Sequence, residues 1–519
     1  MTKEKKVSKY HIISSVIVWI VLFIGVLIVK SADWVQNGWS NVNFATIMFQ
    51  MHTPLKGTNK EVVIKFINES LLPAVKVSVG LLFIYYFFRV ILEKVSFTFH
   101  ISLFSFNWQW KWKEKVCKRI AHIYFLSLIL GISVMIYQEA RELEVFEYVH
   151  AIYTKSTIFE ENYADPEEVN LEFPTEKRNL ILIYLESMET TYGSREAGGG
   201  KEINLIPELT ELAENYINFS DSEKMGGTTG NYGSDWTVGA LVGTSTGVPF
   251  KSSVEENSMS DYAEFLPGVT ALGQVLEKEG YKNYFVCGSD AAFGGRDLFF
   301  KTHGNYEIHD YYYALEQGYF SEDYWVNWGY EDKLLFEIAK NELDELGKSG
   351  EVFNYTMLTA DTHYPDGYYC DVCEKNYEQK YANVIACSSK QTAEFVAWVQ
   401  EQPWYENTTI VLVGDHISMV VDFWDDTDGY RRKTYNCFIN VPEEIDVSYV
   451  KNRKYATLDY FPTILASLGV KIEGEHLGLG TNLFSGEQTL VEKMGQKEFN
   501  SELSYYSSYY VENFEKGKD

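Results

Sequence analysis

Asn179–Leu185 reads NLILIYL, seven residues without a charge, and Glu186 follows at once. A half-buried strand alternates apolar and polar positions; a run apolar throughout suits a strand covered on both faces, as in a parallel sheet flanked by helices. Tyr284–Cys287, Tyr355–Leu358 and Thr409–Val413 have the same character. Between them, Val269–Glu279 and Glu331–Glu345 carry helical spacing. This alternation predicts an α/β sandwich with a mostly parallel central sheet. The Gly-rich tracts Ala197–Gly200 and Gly226–Gly233 read as loops.

The chain ahead of this region has another character. Ile12–Val29, Leu71–Phe88 and Ile120–Tyr137 are apolar runs of near-spanning length. A cleaved signal peptide is a poor reading of the first, because two more such runs follow and no small-residue cleavage site succeeds Val29. Lys76, near one end of the second run, reads as a snorkelling residue. Lys3, Lys5, Lys6 and Lys9 precede the first run. Arg89, Lys94, Lys111, Lys113, Lys115, Lys118 and Arg119 lie between the second and third. The positive-inside rule makes both segments cytoplasmic and everything after about residue 138 extracytoplasmic. Trp108–Trp112 (WQWKW) reads as an interfacial anchor. The expected organisation is a membrane anchor over 1–137 (spans about 12–29, 71–88 and 120–137), a helical acidic linker over 138–177, and an extracytoplasmic α/β domain over 178–519.

Charge divides the same way. Residues 1–137 hold 16 Lys+Arg against 6 Asp+Glu, and the remainder 29 against 67, a net of −38. So acidic a domain is a poor nucleic-acid binder. It also needs a cation or a local basic pocket to approach anionic lipid. Six cysteines are too few for a disulfide-built fold. Cys370 and Cys373 are spaced for a local disulfide, with a CxxC zinc half-site as the rival reading.

In open α/β sheets, ligands gather at the carboxyl ends of strands. Glu186 follows the first strand, Asp361 and His363 follow YTML, and Asp415 and His416 follow the fourth strand. Glu186, Asp415 and His416 make an O,O,N ligand set suited to Mn²⁺, Mg²⁺ or Zn²⁺. The bland alternatives are a helix N-terminal carboxylate for Glu186 and a capping turn for Asp-His. A hydroxyl nucleophile is sought in Gly233–Gly247 (GSDWTVGALVGTSTG). There Thr237 opens an apolar helical stretch, with Thr228, Thr229 and Ser234 as rivals and a simple N-cap as the plain reading.

The ordered motifs LIYLES (182–187), WTVGALVGTSTG (236–247), GYKNYFVCGSDAAFGGRDLFFKTHG (280–304), DTHYPDGYY (361–369), VGDH (413–416) and HLGLGTNLFSG (476–486) resemble the alkaline phosphatase–sulfatase superfamily. Within it the chain looks like the phosphoglycerol transferases of periplasmic glucans and lipoteichoic acid synthase. The resemblance spans roughly residues 178–485. It implies that Thr237 is the nucleophile, because Thr246-Gly247 then falls at the Thr-Gly that ends the sulfatase helix. The sulfatase Cys/Ser-x-Pro-Ser-Arg is absent, which disfavours a formylglycine sulfatase.

By the same resemblance Glu186, Asp415, His416 and Thr237 surround one metal, Mn²⁺ first and Mg²⁺ or Zn²⁺ as alternatives. His363 contacts the substrate phosphate or assists the leaving group, and Arg296 binds phosphate. The histidine and tryptophan expected upstream of that arginine are not matched. Asp290 becomes a candidate substrate contact in their region. The implied donor is phosphatidylglycerol, and the implied acceptor a glycan or teichoic-type polymer. A phosphoethanolamine transferase and a hydrolase share the first half-reaction. A non-catalytic binding module would show a lost ligand or nucleophile, and none is lost.

Overall fold

The computed structural model describes residues 9–40, 42–52, 60–94, 96–101, 106–251, 266–427 and 429–516. Lys3, Lys5 and Lys6, used above for orientation, lie outside them. The chain divides into two compact units. One is Met1–Phe44 with Asn59–Phe146; the other is Glu147–Asp519 with Ala45–Thr58.

The first unit holds three helices long and apolar enough to cross a membrane: Ser15–Gly38, Val62–Ile91 and Glu114–Glu142, with mean hydropathies of 2.5, 1.8 and 2.0. Ile123, Leu126 and Leu130 of the last are each about two-thirds exposed. Outward apolar side chains of this kind suit hydrocarbon, where a helix satisfies its backbone internally. Trp108–Lys111 of the WQWKW segment fall in an antiparallel hairpin of Ser96–Ile101 with Phe106–Lys111.

The second unit is built on a six-stranded sheet. Its strands are β1 (Asn179–Leu185), β2 (Lys282–Cys287), β3 (Glu307–His309), β4 (Phe353–Leu358), β5 (Thr408–Gly414) and β6 (Asn436–Ile439). They lie in the order β3-β2-β4-β1-β5-β6, all parallel except β6, which runs antiparallel to β5. Every residue of β1, β4 and β5 is buried.

The unbroken apolar run of β1 has a direct cause. Leu180, Leu182 and Tyr184 pack in one cluster with Val238, Leu241 and Val242 of helix α1 (Thr237–Thr246). Ile181, Ile183 and Leu185 pack in the other with helices α2 (Asp332–Ser349) and α3 (Lys380–Gln400), through Leu335, Ile338, Phe395 and Val399. Successive strand side chains point to opposite faces, so helices on both faces require apolar residues at every position. The expected helices are present as Leu272–Lys278 and α2. The compact unit also takes in residues before 178: Ile158 and Phe159 belong to its core, and Leu171–Glu172 pairs with Lys471–Ile472.

The expected Cys370–Cys373 disulfide is not the one formed. Cys373 bonds Cys387, at a Cα separation of 5.1 Å, and the Cys370 thiol lies 3.3 Å from Cys373 Sγ. Cys387 sits on α3, and only the fold brings that helix against the turn carrying Cys373.

Lys251 offers a test of the buried edge of this unit. Its Nζ donates to the Tyr505 carbonyl at 2.7 Å and lies over the rings of Tyr510 and Phe159. Burial depresses its pKa to about 7. The folded state therefore binds fewer protons than the unfolded chain between about 7 and the ordinary lysine value, so stability rises with pH across that window. In detergent, the urea midpoint of the full chain is expected to climb between pH 7 and 9.5, and Lys251→Met to flatten the climb. Equal slopes for the two proteins would rule this out.

Candidate active site

Three parallel strands end side by side, β4, β1 and β5, and each runs into a loop bearing polar groups. Glu186 leaves β1, Asp415 and His416 leave β5, and Thr359–His363 leave β4. Parallel strands place their carboxyl ends on one edge, which is why residues 229 apart in sequence meet.

Glu186, Asp415 and His416 present ligand atoms within 4.8 Å of one another, and all three residues are buried. His416 Nε2 lies 3.5 Å from both Glu186 Oε1 and Asp415 Oδ2. Thr237 opens α1, with its Oγ1 3.3 Å from Glu186 Oε2 and 3.3 Å from His416 Nε2. Thr237 is thus the first helical residue rather than the cap, a place held by Trp236.

The supports are local and specific. Ser187 adopts φ 52°, unusual for a non-glycine residue. Its N–H donates to Asp415 Oδ1 at 2.8 Å and its hydroxyl to Glu186 Oε1 at 2.7 Å, so this turn ties the two carboxylates together. Asp415 Oδ1 also accepts from the His416 N–H at 2.8 Å. The Glu186 N–H donates to Thr359 Oγ1, and Thr362 Oγ1 donates to the Glu186 carbonyl. His416 Nδ1 is 2.9 Å from the Ile417 carbonyl; a proton there leaves the Nε2 lone pair facing the cluster. Gly414 is required just before Asp415, since a Cβ there would sit 2.0 Å from the Met188 carbonyl oxygen.

The electrostatics point to a cation. Burial and the neighbouring Glu186 push the Asp415 carboxyl up to about 7. Burial alone would raise Glu186 as well, but His363 and His416 hold it below the usual range. Burial would lower His416, and Asp415 and Glu186 outweigh it and raise it. Asp415 Oδ2 is buried with no hydrogen-bond partner. Two buried carboxylates, one with an orphaned oxygen, beside an imidazole lone pair are a donor set that a divalent cation satisfies and a neutral site does not.

The structure brings Glu186, Asp415, His416 and Thr237 together. His363 lies at the end of β4, close enough to Glu186 to lower its pKa. Its Nδ1 is 2.9 Å from the Tyr364 carbonyl, to which a proton on Nδ1 would donate. Arg296 and Asp290 belong to the loop after β2. Arg296 Nε donates to the Phe293 carbonyl, and its Nη2 to Ser289 Oγ and the Asp290 carbonyl, so those donors brace the loop itself. Asp290 Oδ1 accepts from the Ala292 N–H. This loop meets α1 at Gly294, where a Cβ would fall 2.6 Å from Val238 Cγ2.

Sequence reasoning passed over Ser187 and Thr362. It also passed over the buried Glu189–Arg432 pair, in which Glu189 accepts from Arg432 and from the Ser418 N–H and so pins the loop after His416. Nothing in the local sequence marks Arg432. A carboxylate three residues after Glu186 was the one available cue.

A hydroxyl at a helix start inside a carboxylate–imidazole cluster is an arrangement that can hold a divalent cation and can carry phosphoryl or sulfuryl transfer. Residues 178–470 match the family model described as Sulfatase. The chain belongs to that family, of the alkaline phosphatase superfamily, whose members typically bind a metal. It is 31% identical over 338 residues to phosphoglycerol transferase I of Escherichia coli, an alignment covering 63% of this chain and 41% of that protein. The chain thus matches less than half the length of those curated relatives. Among solved structures, the lipoteichoic acid synthase LtaP of Listeria monocytogenes aligns at 20% identity and a TM-score of 0.45, covering 61% of this chain and 79% of that one. The Streptococcus pyogenes phosphoglycerol transferase GacH, in complex with sn-glycerol-1-phosphate, aligns at 12% identity and 0.42, covering 70% and 90%.

Proposed function

We propose that the protein is a membrane-anchored phosphoglycerol transferase. It takes a glycerophosphate group from phosphatidylglycerol, holds it on Thr237, and passes it to a cell-envelope glycan or teichoic-type acceptor. The observation that carries this reading is the Thr237 hydroxyl, 3.3 Å from both Glu186 and His416. The likeness to phosphoglycerol transferase I supports the choice of group.

Glu186, Asp415, His416 and the Thr237 hydroxyl would hold the metal, for which Mn²⁺ is proposed with Mg²⁺ or Zn²⁺ as alternatives. The cation supplies Lewis acidity that lowers the hydroxyl pKa and offsets charge on phosphoryl oxygens. Thr237 Oγ1 attacks phosphorus and gives up its proton toward the carboxylate it faces. The Oγ1–P bond forms, the bond to the diacylglycerol oxygen breaks, and His363 Nε2 protonates that oxygen as diacylglycerol leaves. In the second displacement the acceptor hydroxyl gives its proton to His363 as its oxygen attacks phosphorus; the Oγ1–P bond breaks, and the Thr237 oxygen takes back the proton held by Glu186. Arg296 and Asp290 are proposed as substrate contacts from the loop after β2, through groups not already bracing it.

The anchor keeps this centre beside its lipid donor and raises the effective concentration. In this reading the basic segments face the cytoplasm and the catalytic unit lies outside. The cation also lets an acidic domain accept an anionic lipid.

The full chain in detergent with Mn²⁺ is expected to release fluorescent diacylglycerol from acyl-labelled phosphatidylglycerol. With matching phosphatidylethanolamine it is expected to release little. Release from phosphatidylethanolamine alone would make it a phosphoethanolamine transferase. Release to water without any acceptor product would make it a hydrolase.

A further inference from the structure

The segment between β3 and α2 ends in a tight hairpin beside the site. The Val326 N–H donates to the Gly329 carbonyl at 2.7 Å and the Gly329 N–H to the Val326 carbonyl at 2.8 Å, leaving Asn327 and Trp328 at the tip. Asn327 takes φ 48°, as such a turn demands. The base is fixed: the Tyr330 N–H donates to the Gly288 carbonyl, and Tyr324 Oη donates to Glu331 at 2.6 Å. Gly288 directly follows β2, and a Cβ there would meet the Tyr330 carbonyl at 2.3 Å. The hairpin therefore moves with the sheet edge that carries the site.

At the tip the Trp328 ring stands 4.6 Å from the His363 ring, edge to face, and 5.5 Å from the Phe293 ring on another side. Phe293 adjoins Gly294, which abuts Val238, the neighbour of Thr237. Trp328 thus bridges the loop that bears His363 and the loop that covers the start of α1. Two of its hairpin's donors, Trp328 Nε1 and Asn327 Nδ2, are buried and have no acceptor. Buried donors left unmet are costly, and a pair of them at one turn beside His363 has an explanation if a ligand supplies the acceptors.

We propose that Asn327 and Trp328 read the hydroxyl-bearing headgroup of the phosphoester bound at Thr237, a role that rests on the reading of that site as a phosphoester centre. Both donors are neutral N–H groups. They can meet the lone pairs of a polyol hydroxyl, whereas an ammonium headgroup has no lone pair to offer. A site built to hydrogen-bond a hydroxyl rejects the analogue that lacks it, because its donors are then left buried and unpaired. The aromatic wall excludes water from these contacts. The hairpin thereby selects glycerol phosphate over ethanolamine phosphate, through residues outside the motifs that mark the reaction.

The test is calorimetric binding of glycerol phosphate and of ethanolamine phosphate to the full chain in detergent with Mn²⁺. Wild type is expected to favour glycerol phosphate by tenfold or more. Trp328→Phe keeps the ring and removes the N–H; Asn327→Gly keeps the left-handed turn and removes the amide. Each is expected to lower that preference about fivefold. Preference for ethanolamine phosphate, no preference, or an unchanged ratio in both variants overturns the proposal, as does equal loss of both ligands in both variants. Glycerol phosphate could belong to the lipid donor or to a polymer end. Slower single-turnover diacylglycerol release in the variants assigns it to the donor, and slowing confined to the second displacement assigns it to the acceptor. A wild type that keeps the preference yet releases nothing from phosphatidylglycerol would refute the donor reading and leave the hairpin's role standing.

Discussion

Thr237→Ala is expected to leave no glycerophosphate on the protein after incubation with radiolabelled phosphatidylglycerol, and to cut diacylglycerol release by about 10³-fold or more. The argument is one of position. Thr237 is the first residue of α1, so its backbone N–H is among those a helix leaves without an internal partner, at the end where the dipole favours an anion. Its Oγ1 is the hydroxyl that reaches both Glu186 and His416. Removing it deletes the atom that forms the new bond to phosphorus, and losses of that size follow when a nucleophile is deleted. Thr237→Ser keeps the oxygen and loses one methyl group, so labelling should persist at a reduced rate. Tryptic mapping of the labelled protein checks both. Label retained by Thr237→Ala would move the nucleophile to another hydroxyl, Thr228, Thr229 and Ser234 being the rivals in the preceding loop.

The second large effect is expected at Asp415. Its Oδ1 accepts two N–H bonds, from Ser187 and His416, and its Oδ2 accepts none. Asp415→Asn can keep the two-bond acceptor while turning the orphaned oxygen into an amide nitrogen that does not ligate. The variant should fold, and its Mn²⁺ affinity should fall about 10²-fold or more. Thermal unfolding reads this without turnover: wild type should gain stability with added Mn²⁺, as any ligand of the folded state confers, and Asp415→Asn should gain little at the same concentration. In the absence of metal the order should reverse, because the variant no longer buries two carboxylates side by side. Chelated wild type should lose diacylglycerol release and recover it with Mn²⁺. Full activity of metal-stripped protein with no cation added would reject the metal assignment.

Much of this site was legible in the chain because its chemistry sits where strands end. NLILIYL, YTML and TIVLV announce buried strands, and the residues that follow them are Glu186, Asp361 to His363, and Asp415 with His416. An apolar run that stops at a charge carries both facts at once. Thr237 was only one of several hydroxyls until the resemblance ranked it, since loop residues carry no periodicity. The disulfide pairing was not legible for a related reason. Spacing suggests neighbours, and Cys387 reaches Cys373 through the packing of α3 rather than through proximity along the chain.

The sequence by itself determined the α/β class, the three apolar segments, the split in charge and the ligand types, because burial, periodicity and side-chain chemistry are written residue by residue. Only the tertiary structure decided which atoms meet. It set Asp415 Oδ2 without a hydrogen-bond partner, tied Ser187 across two carboxylates, turned the named Arg296 hydrogen bonds onto its own loop, and carried Trp328 to the face of His363. Those outcomes depend on strand order and on the angles at which loops leave the sheet. Both are properties of the packed whole, and no local stretch of the chain encodes them.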